Sequence, residues 1–378
     1  MYDACADATH AHRSLSRRLL LGGGVGLATL PVGVASAASR SRTTSDLNRG
    51  LHVVLLGTAG GPPPRAGQAG IASAIVVDGR VYLVDVGAAA VHQYVNVGLL
   101  LADLAAVFVT HLHVDHVADY PNLFMLGGWS TPGAGDTLAG PVPVYGPGPA
   151  GGLPASYGGS DSVTTSPTDP TPGLAGLTDH ACAAFAYSTN VFMRDSGIRE
   201  TRALADVHEI GLAGTGATHE NTAPDMKPLV VMEDDRVLVR AVLVPHGPAF
   251  PAFAYRFDTE HGSVTFSGDT TYSDNLERLA DGSRLLVHEA VNVRGMSLPP
   301  VVRDHILLSH VEVQKVGAVA SRSNVGTLLL SHIGNLDGSP VDHSQWRRWA
   351  RSGYDGQVHV GRDLEIYKVD RTGVRKRP

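Results

Sequence analysis

Three histidines and an aspartate follow a short apolar run, and this cluster constrains the fold more than any other part of the sequence. Residues 105–110 are rich in β-branched and aromatic side chains, which is typical of a buried strand. His111, His113, Asp115 and His116 come directly after that run. Side chains two positions apart on an extended chain point to the same side, so His111 and His113 should project together. The sequence therefore predicts a strand that ends at a cluster of metal ligands.

The number of ligand-type side chains in this cluster suggests two metal ions rather than one. Imidazole suits zinc, and a carboxylate adds an oxygen ligand. A catalytic zinc keeps one position open for water, so four candidate ligands are more than one such ion takes. The alternative is a chance histidine-rich turn, since the chain has 18 histidines in 378 residues. The position at a strand end favours the metal site.

Three more predicted strands lead to a histidine or an aspartate. Residues 236–244 precede His246, residues 264–267 precede Asp269, and residues 328–331 precede His332. A single histidine at a strand end is unremarkable. Four strand ends in one chain that together supply seven ligand-type residues are a much more specific pattern. The seven candidate metal ligands are His111, His113, Asp115, His116, His246, Asp269 and His332.

This series resembles the metallo-β-lactamase superfamily. The His-x-His-x-Asp-His stretch is similar to the second motif of that family, His246 stands where the third motif places a ligand, and Gly-Asp-Thr around Asp269 and Leu-Ser-His332 are similar to the fourth and fifth motifs. Residues 50–87 are similar to the first motif and end in Asp85-Val86-Gly87. We expect Asp85 to support the site from behind rather than to bind metal. The resemblance implies an α/β fold, a four-layer αββα sandwich with a dinuclear site at one edge.

Within the superfamily, the chain resembles the subgroup that contains the zinc arylsulfatases and the tRNA 3′-processing endonucleases of the ribonuclease Z type. Ser-Gly-Asp269-Thr, the stretch 286–290, Ser309-His310 and Leu-Ser-His332 carry this resemblance. His310 stands 22 positions before His332, where the subgroup has a catalytic histidine. The alternative for His310 is a residue that only caps or packs a helix.

The resemblance also implies a cofactor and a division of roles. The cofactor would be two Zn²⁺, with manganese or iron as alternatives. Iron-containing members usually show His-x-Glu-x-Asp-His, a pattern that this chain lacks. The first metal would be held by His111, His113 and His246, the second by Asp115, His116 and His332, and Asp269 would bridge them. Asp115, which would guide the proton of the attacking water, and His310, which would act on the leaving oxygen, are the expected catalytic residues.

The N-terminal 38 residues predict an export signal. Arg17 and Arg18 precede an apolar, glycine-rich run, and small residues follow at 34–38, which is the pattern of a twin-arginine signal peptide. The alternative is an uncleaved membrane anchor, but the run is short and interrupted by glycines. We therefore expect a periplasmic or extracellular protein. Its catalytic domain would span 39–370, with a loop and insertion at about 150–224 and a basic tail at 371–378.

The predicted function is that of an exported dinuclear-zinc hydrolase that cleaves a sulfate or phosphate ester with metal-activated hydroxide. A lactonase or β-lactamase on the same fold is the alternative within the family, and a non-catalytic metal-binding protein is the alternative of another class. The formal net charge is −6 and only the tail is basic. Only 22 residues separate His246 from Asp269, which leaves no room there for the tRNA-binding arm of the bacterial endonucleases. The predicted partner is accordingly a small-molecule ester, with no nucleic acid and no stable membrane anchor after cleavage; the oligomeric state stays open.

Overall fold

The structure is a computed structural model that describes residues 47–129, 136–156 and 164–377. The predicted signal at 1–38 lies outside these residues, as does part of the predicted loop, 157–163. Two β-sheets enclose the main core, and helices cover their outer faces. This arrangement is the predicted αββα sandwich, so the fold prediction is confirmed.

The first sheet has eight strands in the order β15-β14-β1-β2-β3-β4-β5-β6. Strands β3 to β6 run parallel to one another, whereas β15, β14, β1, β2 and β3 pair antiparallel. The strand bounds are β1 Leu51–Gly57, β2 Ala72–Val77, β3 Arg80–Val84, β4 Leu104–Phe108, β5 Val142–Gly146, β6 Ala205–Glu209, β14 Ile366–Asp370 and β15 Gly373–Lys376.

The second sheet has seven strands in the order β13-β12-β11-β10-β9-β8-β7. Here β10 to β13 are parallel and β7 to β10 antiparallel. The bounds are β7 Leu229–Glu233, β8 Val237–Leu243, β9 Phe253–Thr259, β10 Gly262–Phe266, β11 Leu285–Asn292, β12 Thr327–Asn335 and β13 Gln357–Val360.

Short helices connect the strands. They are α1 Ala90–Asn96, α2 Val114–Val117, α3 Tyr120–Gly127, α4 Leu174–Ala184, α5 Ala186–Ser196, α6 Thr201–Leu204, α7 Asp274–Ala280, α8 Pro300–Ser309, α9 Val316–Arg322 and α10 His343–Ala350. Among the described residues, none of these helices combines the length and apolar character needed to cross a membrane.

Strand β1 shows why both faces of the first sheet are apolar. All seven of its residues are buried. Leu51, Val53 and Leu55 belong to the core between the sheets, while Val54 and Leu56 pack with the outer helices. Successive side chains of a strand point to opposite faces, so a strand covered on both sides needs a continuous apolar sequence rather than an alternating one.

The region from 177 to 224 contributes to the sheet as well as to the surface. Helices α4, α5 and α6 lead into β6, which pairs parallel with β5 and forms one edge of the first sheet. The basic tail likewise forms β15 at the opposite edge. The 22 residues between His246 and Asp269 are taken up mainly by β9 and β10, as the spacing predicts.

Candidate metal centre

The seven predicted ligands lie together at one edge of the sandwich. His111 and His113 follow β4, and Asp115 and His116 lie on α2, the turn of helix after it. His246 follows β8, Asp269 follows β10, and His332 lies within β12. β4, β10 and β12 all run parallel to neighbouring strands, and the carboxyl ends of parallel strands are where side chains from distant parts of a chain converge.

His111, His113 and His246 form a first ligand group. One nitrogen from each ring lies within 4.8 Å of the other two. His246 Nε2 is 3.1 Å from His113 Nδ1, and His246 Nδ1 is 2.9 Å from the carbonyl oxygen of Ser309. Because a carbonyl oxygen only accepts, Nδ1 of His246 must carry the proton. Its Nε2 therefore has a lone pair directed into the group, the usual arrangement for a metal-binding histidine.

Asp115, His116 and His332 form a second ligand group with the same spacing. His116 Nδ1 is 2.8 Å from Asp85 Oδ2, so it donates to that carboxylate and leaves Nε2 as the acceptor. The Thr110 amide donates to Asp85 Oδ1 over 2.8 Å, and the Thr110 hydroxyl donates to Asp85 Oδ2 over 2.9 Å. Asp85 thus supports His116 from behind, as expected from the sequence.

Asp269 lies between the two groups. Its Oδ2 is 3.7 Å from His246 Nε2 in the first group and 3.4 Å from His116 Nε2 in the second. Its Oδ1 is 3.2 Å from His332 Nδ1. Burial raises the pKa of the Asp269 carboxyl, but the neighbouring His332 and His116 outweigh burial and hold it well below its usual range. An ionised carboxylate in this position can serve both groups.

Four atoms of this centre that could bind a metal ion are buried and form no hydrogen bond. They are His111 Nε2, His116 Nε2, Asp115 Oδ1 and Asp269 Oδ1. Leaving one such atom unsatisfied costs about 1–3 kcal/mol, so four together call for another explanation. Burial also lowers the pKa of His111 far below its ordinary value and that of His246 to about 3. These histidines are neutral at neutral pH, the form that binds metal. The His/Asp clusters are therefore able to bind metal ions.

His310 sits beside the metal centre and is paired with a residue that the sequence analysis did not assign. Its ring lies 5.0 Å from that of His246 and 6.0 Å from that of His332, measured between centroids. His310 Nδ1 is 3.3 Å from Glu289 Oε2, and Glu289 Oε1 accepts a 2.7 Å hydrogen bond from the Val311 amide. Burial lowers the pKa of His310, but Glu289 outweighs it and raises the pKa to about 9. Glu289 therefore favours the protonated form of His310, whose catalytic role stays a prediction.

Glu289 could have been noticed in the sequence by its surroundings. It lies with His288 in the middle of β11, whose other residues up to Val291 are apolar. A buried carboxylate in an apolar strand is rare unless it is paired. What the sequence does not show is the partner, because the loop that carries His310 meets β11 only in the folded chain, through the Val311 amide.

Comparison with known proteins agrees with this geometry. Residues 67–125 match the model of the Metallo-beta-lactamase superfamily. The chain has a metallo-β-lactamase domain. Its metallo-β-lactamase fold is also found in YhfI from Bacillus subtilis, with a TM-score of 0.53 and 17% identity, and in the short form of human tRNase Z, with a TM-score of 0.53 and 18% identity. Each comparison covers 84% of this chain and 99% of the other.

This metallo-β-lactamase-fold chain has homologues among the ribonuclease Z proteins. It is 29% identical to Ribonuclease Z of Mycobacterium bovis over 320 residues, which are 84% of this chain and 98% of that protein. Ribonuclease Z of Mycobacterium tuberculosis matches at the same identity and coverage. Together with the clusters of candidate ligands, these matches make the protein a metal-dependent hydrolase of the metallo-β-lactamase fold.

These homologues overturn one prediction. The sequence predicts a small-molecule ester as the partner and no nucleic acid, and that prediction is wrong because ribonucleases match the chain over 84% of its length. The prediction relied on the negative net charge and on the short interval between His246 and Asp269, which leaves no room for a tRNA-binding arm. A net charge averages over the whole surface, so it does not exclude a local site for a charged ligand such as a phosphodiester.

Proposed function

We propose that the protein is a dinuclear-zinc phosphodiesterase that hydrolyses a phosphodiester bond of RNA. One observation carries the proposal: Asp269 lies between two ligand groups, and His310, with Glu289 3.3 Å from its Nδ1, stands at one side of them. That arrangement combines metal sites with a proton donor for a leaving oxygen. The ribonuclease Z homologues supply the substrate class.

In this proposal the first and the second ligand group would hold one zinc ion each, and Asp269, which lies between the groups, would contribute a carboxylate ligand. The unpartnered donor atoms of His111, His116, Asp115 and Asp269 fit such ions. When bound, two zinc ions would supply hydroxide at neutral pH from water and stabilise charge on the phosphoryl oxygens.

The chain's own residues would perform the remaining steps. Burial raises the pKa of Asp115, but a hydrogen bond with His332 outweighs it and brings the pKa to about 2. Asp115 is thus ionised, and it would accept a hydrogen bond from the attacking water and orient it rather than take its proton fully. His310, which lies beside His246 and His332, would donate a proton to the leaving oxygen, and Glu289 would hold the imidazole of His310 in position.

The test is hydrolysis of short single-stranded RNA by the zinc-loaded full chain, with bis(p-nitrophenyl) phosphate as a second substrate. We expect hydrolysis of both, loss on chelation, and a fall of about 10²- to 10⁴-fold in kcat for His310→Ala on the RNA, the usual contribution of a general acid. The fall should be smaller on the nitrophenyl ester, whose leaving group needs little protonation. His208→Ala is a matched control, because His208 is an exposed histidine that pairs with Asp206 on β6. Two bound zinc ions without hydrolysis of either phosphodiester would refute the proposal.

We also propose that residues 1–38 direct export, as the paired arginines at 17 and 18 suggest. The supporting pattern is a charged start, an apolar run and small residues at its end. Fractionation of cells that express the full chain is the direct check on this location.

A further inference from the structure

Two cavities meet at the metal centre, and they differ in chemistry. The first, of about 330 Å³, is lined by prolines and other apolar residues but also by the ionisable side chains of Arg65, Asp115, Glu289 and His310; because of these we call it the polar cavity. The second, of about 420 Å³, is walled by Leu153, Pro154, 170–172 and 248–251; we call it the proline cavity. His113 and Pro248 line both cavities. A phosphodiester at the metal centre therefore has one cavity on each side of it.

The proline cavity suits an uncharged, flat group. Of the described residues that line it, none carries a formal charge at neutral pH, and apart from His111 and His113 its one polar side chain is Thr171. Its walls are prolines, leucines and Phe250. Its volume lies within the ~300–1,000 Å³ typical of ligand pockets. The nucleobase is the part of RNA that is flat and uncharged, and bases stack on aromatic and apolar side chains.

The walls of the proline cavity are held in place by contacts outside it. The Ala150 amide donates to the Thr171 carbonyl oxygen over 3.3 Å, which joins two of the walls. Glu209 Oε1 accepts a 3.0 Å hydrogen bond from the Ala175 amide behind them. The His219 ring packs on Gly152 so closely that a Cβ there would lie 2.5 Å from its Cε1. Because these walls are already ordered without a ligand, binding costs little free energy for ordering them.

The position of His310 tells which part of the substrate enters which cavity. His310 lines the polar cavity and is absent from the described lining of the proline cavity. If His310 protonates the leaving oxygen, the leaving fragment lies in the polar cavity. The second ester substituent stays bonded to the phosphate after hydrolysis, and it then extends towards the proline cavity.

We propose that the proline cavity binds the nucleobase of the nucleoside that keeps the phosphate after cleavage. This inference rests on the proposed phosphodiester hydrolysis and adds a base-binding subsite to it. Leu153 is the residue best suited for testing, because it is 54% exposed and does not belong to the buried core. Leu126 on α3 is a matched control: it is 58% exposed and lines neither cavity.

The experiment uses p-nitrophenyl phosphodiesters, in which nitrophenolate always leaves and the nucleoside always keeps the phosphate. The substrates are thymidine 5′- and 3′-(p-nitrophenyl phosphate) and the same two esters with hydrogen in place of the base. We expect kcat/KM of the zinc-loaded full chain to be about 10-fold higher for at least one thymidine ester than for its abasic counterpart, in line with the known strength of base stacking. Leu153→Asp should abolish this ratio, Leu153→Ala should reduce it, and Leu126→Asp should retain it.

Equal rates with and without the base, or an unchanged ratio in Leu153→Asp, would overturn the inference. A second measurement separates it from the proposed function. Binding of 5-fluoro-2′-deoxyuridine 5′- and 3′-monophosphate, followed by ¹⁹F line broadening, needs no turnover. Broadening that Leu153→Asp removes and Leu126→Asp keeps would support the base subsite even if no ester were hydrolysed. No broadening with either nucleotide and no turnover would refute both proposals.

Discussion

Replacing Asp85 by asparagine should weaken one metal site and spare the other. Asp85 Oδ2 accepts from His116 Nδ1 over 2.8 Å and from the Thr110 hydroxyl over 2.9 Å, while Oδ1 accepts from the Thr110 amide. Asparagine keeps one oxygen for the Thr110 amide but places an NH₂ group against His116. Two donors would then face each other unless His116 moves its proton to Nε2, and that tautomer cannot bind metal through Nε2.

The expected loss is confined to the second ligand group. Removing such a supporting residue typically lowers metal affinity about 10- to 100-fold, or about 1.4–2.7 kcal/mol. The first ligand group, in which Ser309 rather than Asp85 fixes His246, should keep its affinity. In competition with a chromophoric chelator, the wild type should therefore bind two zinc ions tightly, whereas Asp85→Asn should bind one tightly and one weakly. Asp78→Asn serves as the control, since Asp78 pairs over 2.8 Å with His261, which lies outside both ligand groups. Equal weakening of both sites, or of neither, would refute the reasoning.

Three further predictions concern the proton donor, the core and the export signal. Glu289→Gln removes the carboxylate that raises the pKa of His310, so the alkaline limb of the RNA pH–rate profile should move to lower pH, and an unmoved limb would contradict the pairing. Phe108→Ala empties a site at which three aromatic rings meet Phe108, so the free energy of unfolding in urea should fall by about 3–5 kcal/mol, against under 1 kcal/mol for the exposed Leu126→Ala. Replacing both Arg17 and Arg18 by lysine should retain the full chain in the cytoplasmic fraction, and unchanged export would contradict a twin-arginine signal.

The pairing of Asp78 with His261 should also make stability depend on pH. A hydrogen bond from His261 lowers the pKa of Asp78 in the folded protein. A carboxyl whose pKa is lowered by folding stabilises the protein above its unfolded pKa of about 3.9, and this contribution is lost as the pH falls through the folded value. The difference in unfolding free energy between the wild type and Asp78→Asn should therefore be largest near neutral pH and shrink below about pH 4. A constant difference across that range would contradict the pairing.

The sequence was sufficient to predict the candidate metal ligands that come at or near the ends of buried strands. A run of buried strand residues that leads to a histidine or aspartate can be recognised locally. His111 and Asp269 follow β4 and β10 in this way, whereas His332 lies within β12, which continues to Asn335. The parallel order of β10 to β12 brings Asp269 and His332 together, and the packing of the two sheets brings His111 to them. Both follow from the fold class rather than from any pair of residues.

The sequence was insufficient to predict the parts of the site that depend on contacts between distant segments. Glu289 gains its role only because the loop after α8 packs against β11. The proline cavity needs three loops that are separated by up to about a hundred residues and that carry no motif. The sequence also did not reveal the nucleic-acid partner that the homologues indicate, because composition reports only a charge averaged over the whole chain.

The way in which the two ligand groups are divided between the sheets has a consequence for folding. Each group takes two ligands from the segment after β4 in the first sheet and one ligand, His246 or His332, from the second sheet. A cation in either group therefore acts as a cross-link between the two halves of the sandwich. Because an unfolded chain does not assemble either group, cation binding adds to the stability of the folded state in proportion to the logarithm of free metal concentration. The same ions that would perform hydrolysis would thus hold the two sheets together, and a cell that starves the protein of metal would lose its fold more readily along with its activity.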